Sequence, residues 1–168
     1  MALLDIVKIP DPVLRRKARK VTEFNRDFQL LVANMIDTMR DAPGVGLAAP
    51  QVNISQRLVV IEYGDDEDET VPKKLFVIVN PEIVEKSEEM VAGPEACLSV
   101  PNLVGEVERH QSITVKSLNR HGKPQKHKVD GWLARIFQHE IDHLDGIIYT
   151  DRTENVWQPK EGEEIPQD

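Results

Sequence analysis

The chain has 168 residues, of which 40% are hydrophobic and 30% charged, and its formal net charge is −8. That length suits one domain with a substantial core and crowds two. No apolar run reaches the roughly 18 residues of a membrane span, the acidic balance argues against nucleic acid as the main ligand, and the apolar stretch before the first charges is too short for a secretory signal.

Asp11-Pro12 opens a short helix with proline at its tolerated first position, and the basic run Arg15–Lys20 (RRKARK) reads as a solvated helix face. A longer helix follows from about Asn25 to Asp41, with Phe28, Leu31, Val32, Met35, Ile36 and Met39 on one stripe, and Pro43-Gly44 ends it. Gly44–Gln51 (GVGLAAPQ) is a run of small residues with no helical or strand period, and it lacks the Lys and Ser/Thr of a phosphate loop. Arg57–Tyr63 and Leu75–Val79 read as strands, separated by an acidic, turn-rich loop over residues 64–74. Glu82–Met90 extends the sheet, Leu103–Glu108 and Ser112–Leu118 are further strands, and Asn119–Lys123 turns the chain into a returning strand at Gln125–Val129.

The next stretch, Asp130–Gly146 (DGWLARIFQHEIDHLDG), reads as an amphipathic helix with Trp132, Leu133, Ile136, Phe137, Ile141 and Leu144 on its apolar side. Asp130 is its N-cap candidate and Gly146 its terminating glycine. His139 and His143, four residues apart, project from one face toward a common ion, and Glu140 stands beside them to handle the proton of a water. From Thr153 onward only Val156 and Trp157 have apolar surface to bury, so a mobile or loosely docked tail is expected. The whole predicts an α+β fold: small antiparallel or mixed sheets around the metal-binding helix, with a catalytic domain over residues 1–152 and a polar tail over 153–168.

A catalytic site of this kind needs three protein ligands and one open position. The extended histidine motif fails at Tyr149, where a third His would stand, and Glu161, Glu163 and Glu164 lie in a polar tail without helical patterning. Cys97, the chain's single cysteine, remains; a thiolate with two imidazoles suits ferrous iron, zinc, cobalt or nickel. His110, His121 and His127 have no partner spacing and read as surface or structural, and Asp142 points away from the two ligand histidines.

With these residues in hand the sequence resembles the peptide deformylases, whose signatures GxGLAAPQ, EGCLS and QHExDH read here as Gly44–Gln51, Glu95–Ser99 and Gln138–His143. The likeness extends to DPVLR near the N-terminus, to Asn80-Pro81 and to Leu144–Arg152, and so covers roughly residues 5–152. It implies hydrolysis of the N-formyl group from the N-terminal methionine of new polypeptides, with release of formate. The implied metal set is Cys97, His139 and His143, holding Fe2+ in the cell, with Zn2+, Ni2+ or Co2+ able to replace it. Glu140 is the implied general base and acid, and Gln51 and the Leu98 backbone N–H the stabilisers of the oxyanion. Val45 and Gly46 are expected to offer backbone groups to an extended peptide, and Trp132 and Ile136 to line the methionine pocket or belong to the core. Glu95 is grouped with the substrate-binding residues and is expected to pair with Arg109 and steady the cysteine loop.

The implied partners are N-formylmethionyl peptides and nascent chains, with a transient ribosome contact left open. Neither DNA nor membrane is expected; a cytoplasmic monomer is, or an organellar protein in processed form. Three positions depart from the family pattern. Ala96 replaces a glycine, which would cost about 1 kcal/mol if a positive φ were needed there. Asn53 replaces another glycine and tolerates the left-handed region, and Val104 stands where relatives carry a substrate-holding Arg or Tyr. Three other readings stay open: a peptidase cutting internal bonds, an idle member that binds peptides without turnover, and a deformylase-like hydrolase acting on another N-formyl compound.

Overall fold

The computed structural model describes residues 2–64, 70 and 72–160. The elements in chain order are a 3-10 turn at Pro12–Arg15, helix α1 (Arg26–Asp41), β1 (Gly46–Ala48), a second 3-10 turn at Ala49–Val52, β2 (Leu58–Tyr63) and β3 (Lys74–Lys86). There follow β4 (Met90–Cys97), β5 (Val100–His110), β6 (Ser112–Leu118), β7 (Pro124–Asp130), helix α2 (Gly131–Leu144), a third 3-10 turn (Tyr149–Arg152) and β8 (Val156–Trp157). The strands make two antiparallel sheets, a five-stranded one ordered β1-β2-β3-β6-β7 and a three-stranded one ordered β4-β5-β8. The α+β expectation holds.

Strand alternation places the helices. Along β2, Val59 and Ile61 enter one core with Ile136, Phe137, Ile141 and Leu144 of α2. Leu58 and Val60 point the other way, into a second core with Phe28, Val32, Met35 and Met39 of α1. The large sheet is thus covered on both faces, and each fully buried aliphatic side chain contributes roughly 1.5–3 kcal/mol. A third cluster, holding Val13, Leu14, Cys97, Val100, Val107, Ile148 and Tyr149, seats the small sheet. Helix α2 lies between the sheets and is buried continuously from Ala134 to Ile141, which is more enclosed than a one-sided stripe predicts.

The caps follow local chemistry. Asn25 accepts from the Phe28 N–H at 3.0 Å and starts α1. Asp130 is the N-cap of α2 by position, but its side chain makes no capping bond, and Gly131 turns the chain in with φ +59°. At the other end Gly146 has φ +76°, and the Gly146 and Ile147 N–H groups donate to the carbonyls of His143 and Asp142, a Schellman ending.

Several expectations are corrected. The RRKARK run is helical only through Arg15; beyond it the chain is extended, because Ala18 is buried and its N–H donates to the Leu144 carbonyl. The small-residue run forms β1 and a 3-10 turn, and Cys97 ends β4, with Leu98-Ser99 as the turn into β5. Far from loose, Val156 and Trp157 pair with Gly105 and Val104 as β8. The residues of the acidic loop at 65–69 and 71, and Glu161, Glu163 and Glu164, lie outside the described residues.

The three departures are accommodated. Asn53 takes φ +66°, in the left-handed region, whereas Ala96 is buried in β4 and is absent from the positive-φ positions, so its methyl brings no backbone strain there. Val104 is buried opposite Trp157.

Candidate active site

Helix periodicity brings His139 and His143 onto one side of α2, with ring centroids 5.1 Å apart. The β4–β5 hairpin brings Cys97 to them from 42 residues upstream, at the point where Cys97 pairs with Val100 just beyond a register shift after Glu95. Ligand atoms of Cys97, His139 and His143 all lie within 4.8 Å of one another and all three residues are buried; the Cys97 Sγ to His143 Nε2 distance is 3.3 Å. A cysteine and two imidazoles converging in a buried position are a donor set that fits one divalent metal ion. Burial, then the charges on His139 and Arg109, hold His143 well below the ordinary histidine range, which favours the neutral imidazole with a lone pair to offer.

Glu95 governs the orientation of His139. One carboxylate oxygen lies 2.9 Å from His139 Nδ1 and accepts from Arg109 Nη2 at 2.8 Å; the other accepts from Arg109 Nε at 2.9 Å and Arg135 Nη1 at 2.6 Å. Committing Nδ1 to Glu95 makes Nε2 the nitrogen offered to an ion. Burial by itself would raise the Glu95 pKa, but the bonds and charges of Arg109 and His139 outweigh it, and the carboxyl sits well below the usual carboxylate range. The Glu95–Arg109 pair is therefore present and buried. Glu95 itself is 0% exposed behind these donors, which corrects its grouping with the substrate-binding residues: a carboxylate already accepting four contacts inside the protein has no surface to give a peptide. Arg109 also pairs with Asp142 at 2.6 Å, and Asp142 with Arg152 at the surface, so Asp142 supports the network from behind.

Glu140 is fully buried and faces β1: a Cβ built on Gly46 would stand 2.4 Å from Glu140 Oε2. Gln51 is also buried, with Oε1 accepting from the Ala48 N–H at 2.9 Å; Nε2 is aimed at Ser99 Oγ (3.2 Å) and Cys97 Sγ (3.5 Å). Its amide N–H groups thus point to Cys97 and Ser99, on either side of Leu98. On one side β1 pairs with β2, through Gly46 opposite Ile61, and the Val45 carbonyl accepts from the Glu62 N–H. Its other side is the edge of the sheet, where an extended peptide can add. Ile136 is wholly inside the core of α2 and the large sheet, and Trp132 packs against that core from outside, 5.9 Å from the Arg135 guanidinium carbon.

Two residues escaped the reading of the sequence. Arg135 is one helical turn before His139, a spacing that could have flagged it, yet an Arg in a helix is ordinarily solvated. Ser99 is buried against Gln51, and its position in a two-residue turn carries no distinguishing signal.

Fold and site together define a metal-dependent hydrolase. The family model described as polypeptide deformylase matches residues 3–158. The chain is 51% identical over 156 residues to the peptide deformylase of Symbiobacterium thermophilum, covering 93% of this chain and 69% of that one. To that of Desulforudis audaxviator it is 46% identical over 161 residues, 96% and 100%. Among solved structures, the peptide deformylase of Thermotoga maritima superposes with TM-score 0.85 at 40% identity, covering 92% of this chain and 99% of the other. A Met-Ala-Ser-bound class I type b peptide deformylase from Acinetobacter baumannii gives 0.83 at 38% identity, with 90% and 99% covered. The chain belongs to the polypeptide deformylase family.

Proposed function

We propose that His139, His143 and Cys97 hold the single divalent metal with which this chain removes the N-formyl group from newly made polypeptides. The observation carrying the assignment of residues is the convergence of that buried triad beside a buried glutamate. When bound, the ion supplies Lewis acidity and lowers the pKa of the attacking water toward neutrality. Glu140 takes the proton from that water and returns it to the departing amine as the formamide C–N bond breaks, so one water is consumed and formate and a free N-terminus are released. Negative charge develops on the formyl oxygen; the Gln51 amide and the Leu98 N–H donate to it.

The peptide lies extended along the unpaired edge of β1, where Gly46 supplies backbone groups; Val45 does not join it there, its carbonyl being bonded to the Glu62 N–H on the β2 side. The Met-Ala-Ser bound to the Acinetobacter relative supports a short N-terminal peptide as occupant. Trp132, at the outer end of α2, is the better-placed of the two pocket candidates, Ile136 being enclosed in the core. Ferrous iron is the proposed resident metal, with zinc, nickel or cobalt able to take its place at a mixed sulfur–nitrogen site. The proposed setting is a cytoplasmic monomer meeting nascent chains, with at most transient ribosome contact. No described helix is long and apolar enough to cross a membrane.

The test is formate release from formyl-Met-Ala-Ser by protein loaded anaerobically with ferrous iron. Glu140→Ala is expected to keep its metal and lose nearly all activity, and Cys97→Ala to lose metal. A Cys97→Ala protein that retains full metal would sink the triad and favour an internal peptidase with another third ligand. A folded, metal-replete parent that releases no formate would sink the reaction.

A further inference from the structure

We infer that Arg135 is a positioning residue of the metal centre, tying the hairpin that carries Cys97 to the helix that carries His139 and His143 and fixing Glu95 against His139. The inference rests on the ligand triad proposed above. Arg135 is buried, and its fork spans both strands of the hairpin. Nη2 donates to the Val91 carbonyl at 2.6 Å, and Nη1 to Val107 at 2.8 Å, Gly93 at 3.4 Å and Glu95 Oε2 at 2.6 Å. One side chain of α2 thus grips β4, β5 and the carboxylate that orients a ligand on that same helix.

Arg109 does not duplicate this. Arg109, equally buried, spends Nε and Nη2 on Glu95 and commits Nη1 to Asp142, which also pairs with Arg152, whereas Arg135 reaches Glu95 and the strand carbonyls from α2 itself. A planar guanidinium with donors on both ends can serve strand carbonyls and a carboxylate at once, whereas an ammonium acts as a point charge. With both cations in place Glu95 stays an acceptor, the His139 Nδ1–H donates to it, and the ring angle is set by the hairpin. Gly93 belongs to the device: a Cβ there would meet the Arg135 guanidinium at 3.0–3.2 Å.

The experiment follows Zn2+ release from the zinc-loaded full chain into a chromophoric chelator, together with melting temperatures of the apo and zinc forms. Arg135→Gln is expected to release zinc roughly ten- to a hundredfold faster, the usual cost of losing a partner behind a metal ligand. Arg135→Lys should fall between it and the parent. Gly93→Ala, which keeps the charge and displaces the guanidinium, should move in the same direction by a smaller factor. A merely structural Arg135 would lower both melting temperatures equally and leave release unchanged; a positioning role narrows the gap between the two forms. Parent-like release from folded Arg135→Gln would overturn the inference, and if that variant does not fold, parent-like release from Gly93→Ala does the same. Parent-like zinc binding by Cys97→Ala would instead sink the triad itself, and the inference with it.

Discussion

Gly46→Ala tests whether the backbone of β1 is shaped around the glutamate. Gly46 has no positive φ, so alanine brings no backbone strain, and the argument is purely one of space. The added Cβ would lie 2.4 Å from Glu140 Oε2, 3.0 Å from Cδ and 3.1 Å from Cγ. Ordinary contact begins at 3.4 Å, so the carboxylate oxygen has to retreat by 1.0 Å. Glu140 is 0% exposed, so its carboxylate has to move within the protein, away from the position it holds in the structure. A misplacement of about 1 Å in a reacting group costs on the order of a hundredfold in rate, or about 2.7 kcal/mol of barrier. Steady-state formate release at matched metal content measures it, with metal quantified on the same sample. A metal-replete Gly46→Ala enzyme whose kcat stays within about threefold of the parent would refute the reasoning, since it would show that Glu140 moves freely or is not the proton carrier.

Gln51→Leu removes a donor aimed at the reaction centre and is expected to lower kcat by roughly a hundred- to a thousandfold with metal retained, which single-turnover formate release would show. Gly146→Ala forces a methyl to 2.6 Å from the Arg15 carbonyl at φ +76°, so a loss of more than about 1 kcal/mol in urea unfolding is expected. His127 is packed edge-on to Phe76 and Phe137, its Nε2 is buried without a hydrogen-bond partner among the described residues, and burial first, then Lys74, lowers its pKa. The unfolded chain therefore binds the proton more readily. Stability contributed at this site is complete above about pH 6.5 and declines as pH falls through that value toward the folded pKa. His127→Phe should remove that component, so the difference between its unfolding midpoint and the parent's must change between pH 8 and pH 5; a constant difference would contradict the assignment.

Residue order alone determined what is local. The four-residue step from His139 to His143, the adjacent Glu140, the glycine ending at Gly146 and the capped α1 are properties of one helix at a time, and the structure has them where spacing puts them. β2 was legible as a strand, but its continuous apolar run Leu58–Ile61 did not say which residues face which core. Cys97 emerged by elimination and by resemblance, because nothing in its own neighbourhood says that a hairpin end will meet a histidine 42 residues on.

Tertiary packing decided the rest. The burial of α2 between two sheets turned Arg135 from an expected solvated cation into an internal clamp, a change of meaning that depends on the hairpin closing over it. The same closure turned Glu95 from a candidate for the substrate into the carboxylate that holds His139. It also drew Val156 and Trp157 out of an apparently loose tail onto the free edge of β5, where unpaired backbone groups found partners. Spacing along one element specifies which side chains share a face. Which face meets which, and hence which charges are buried together, depends on contacts between distant segments that form only when the cores assemble.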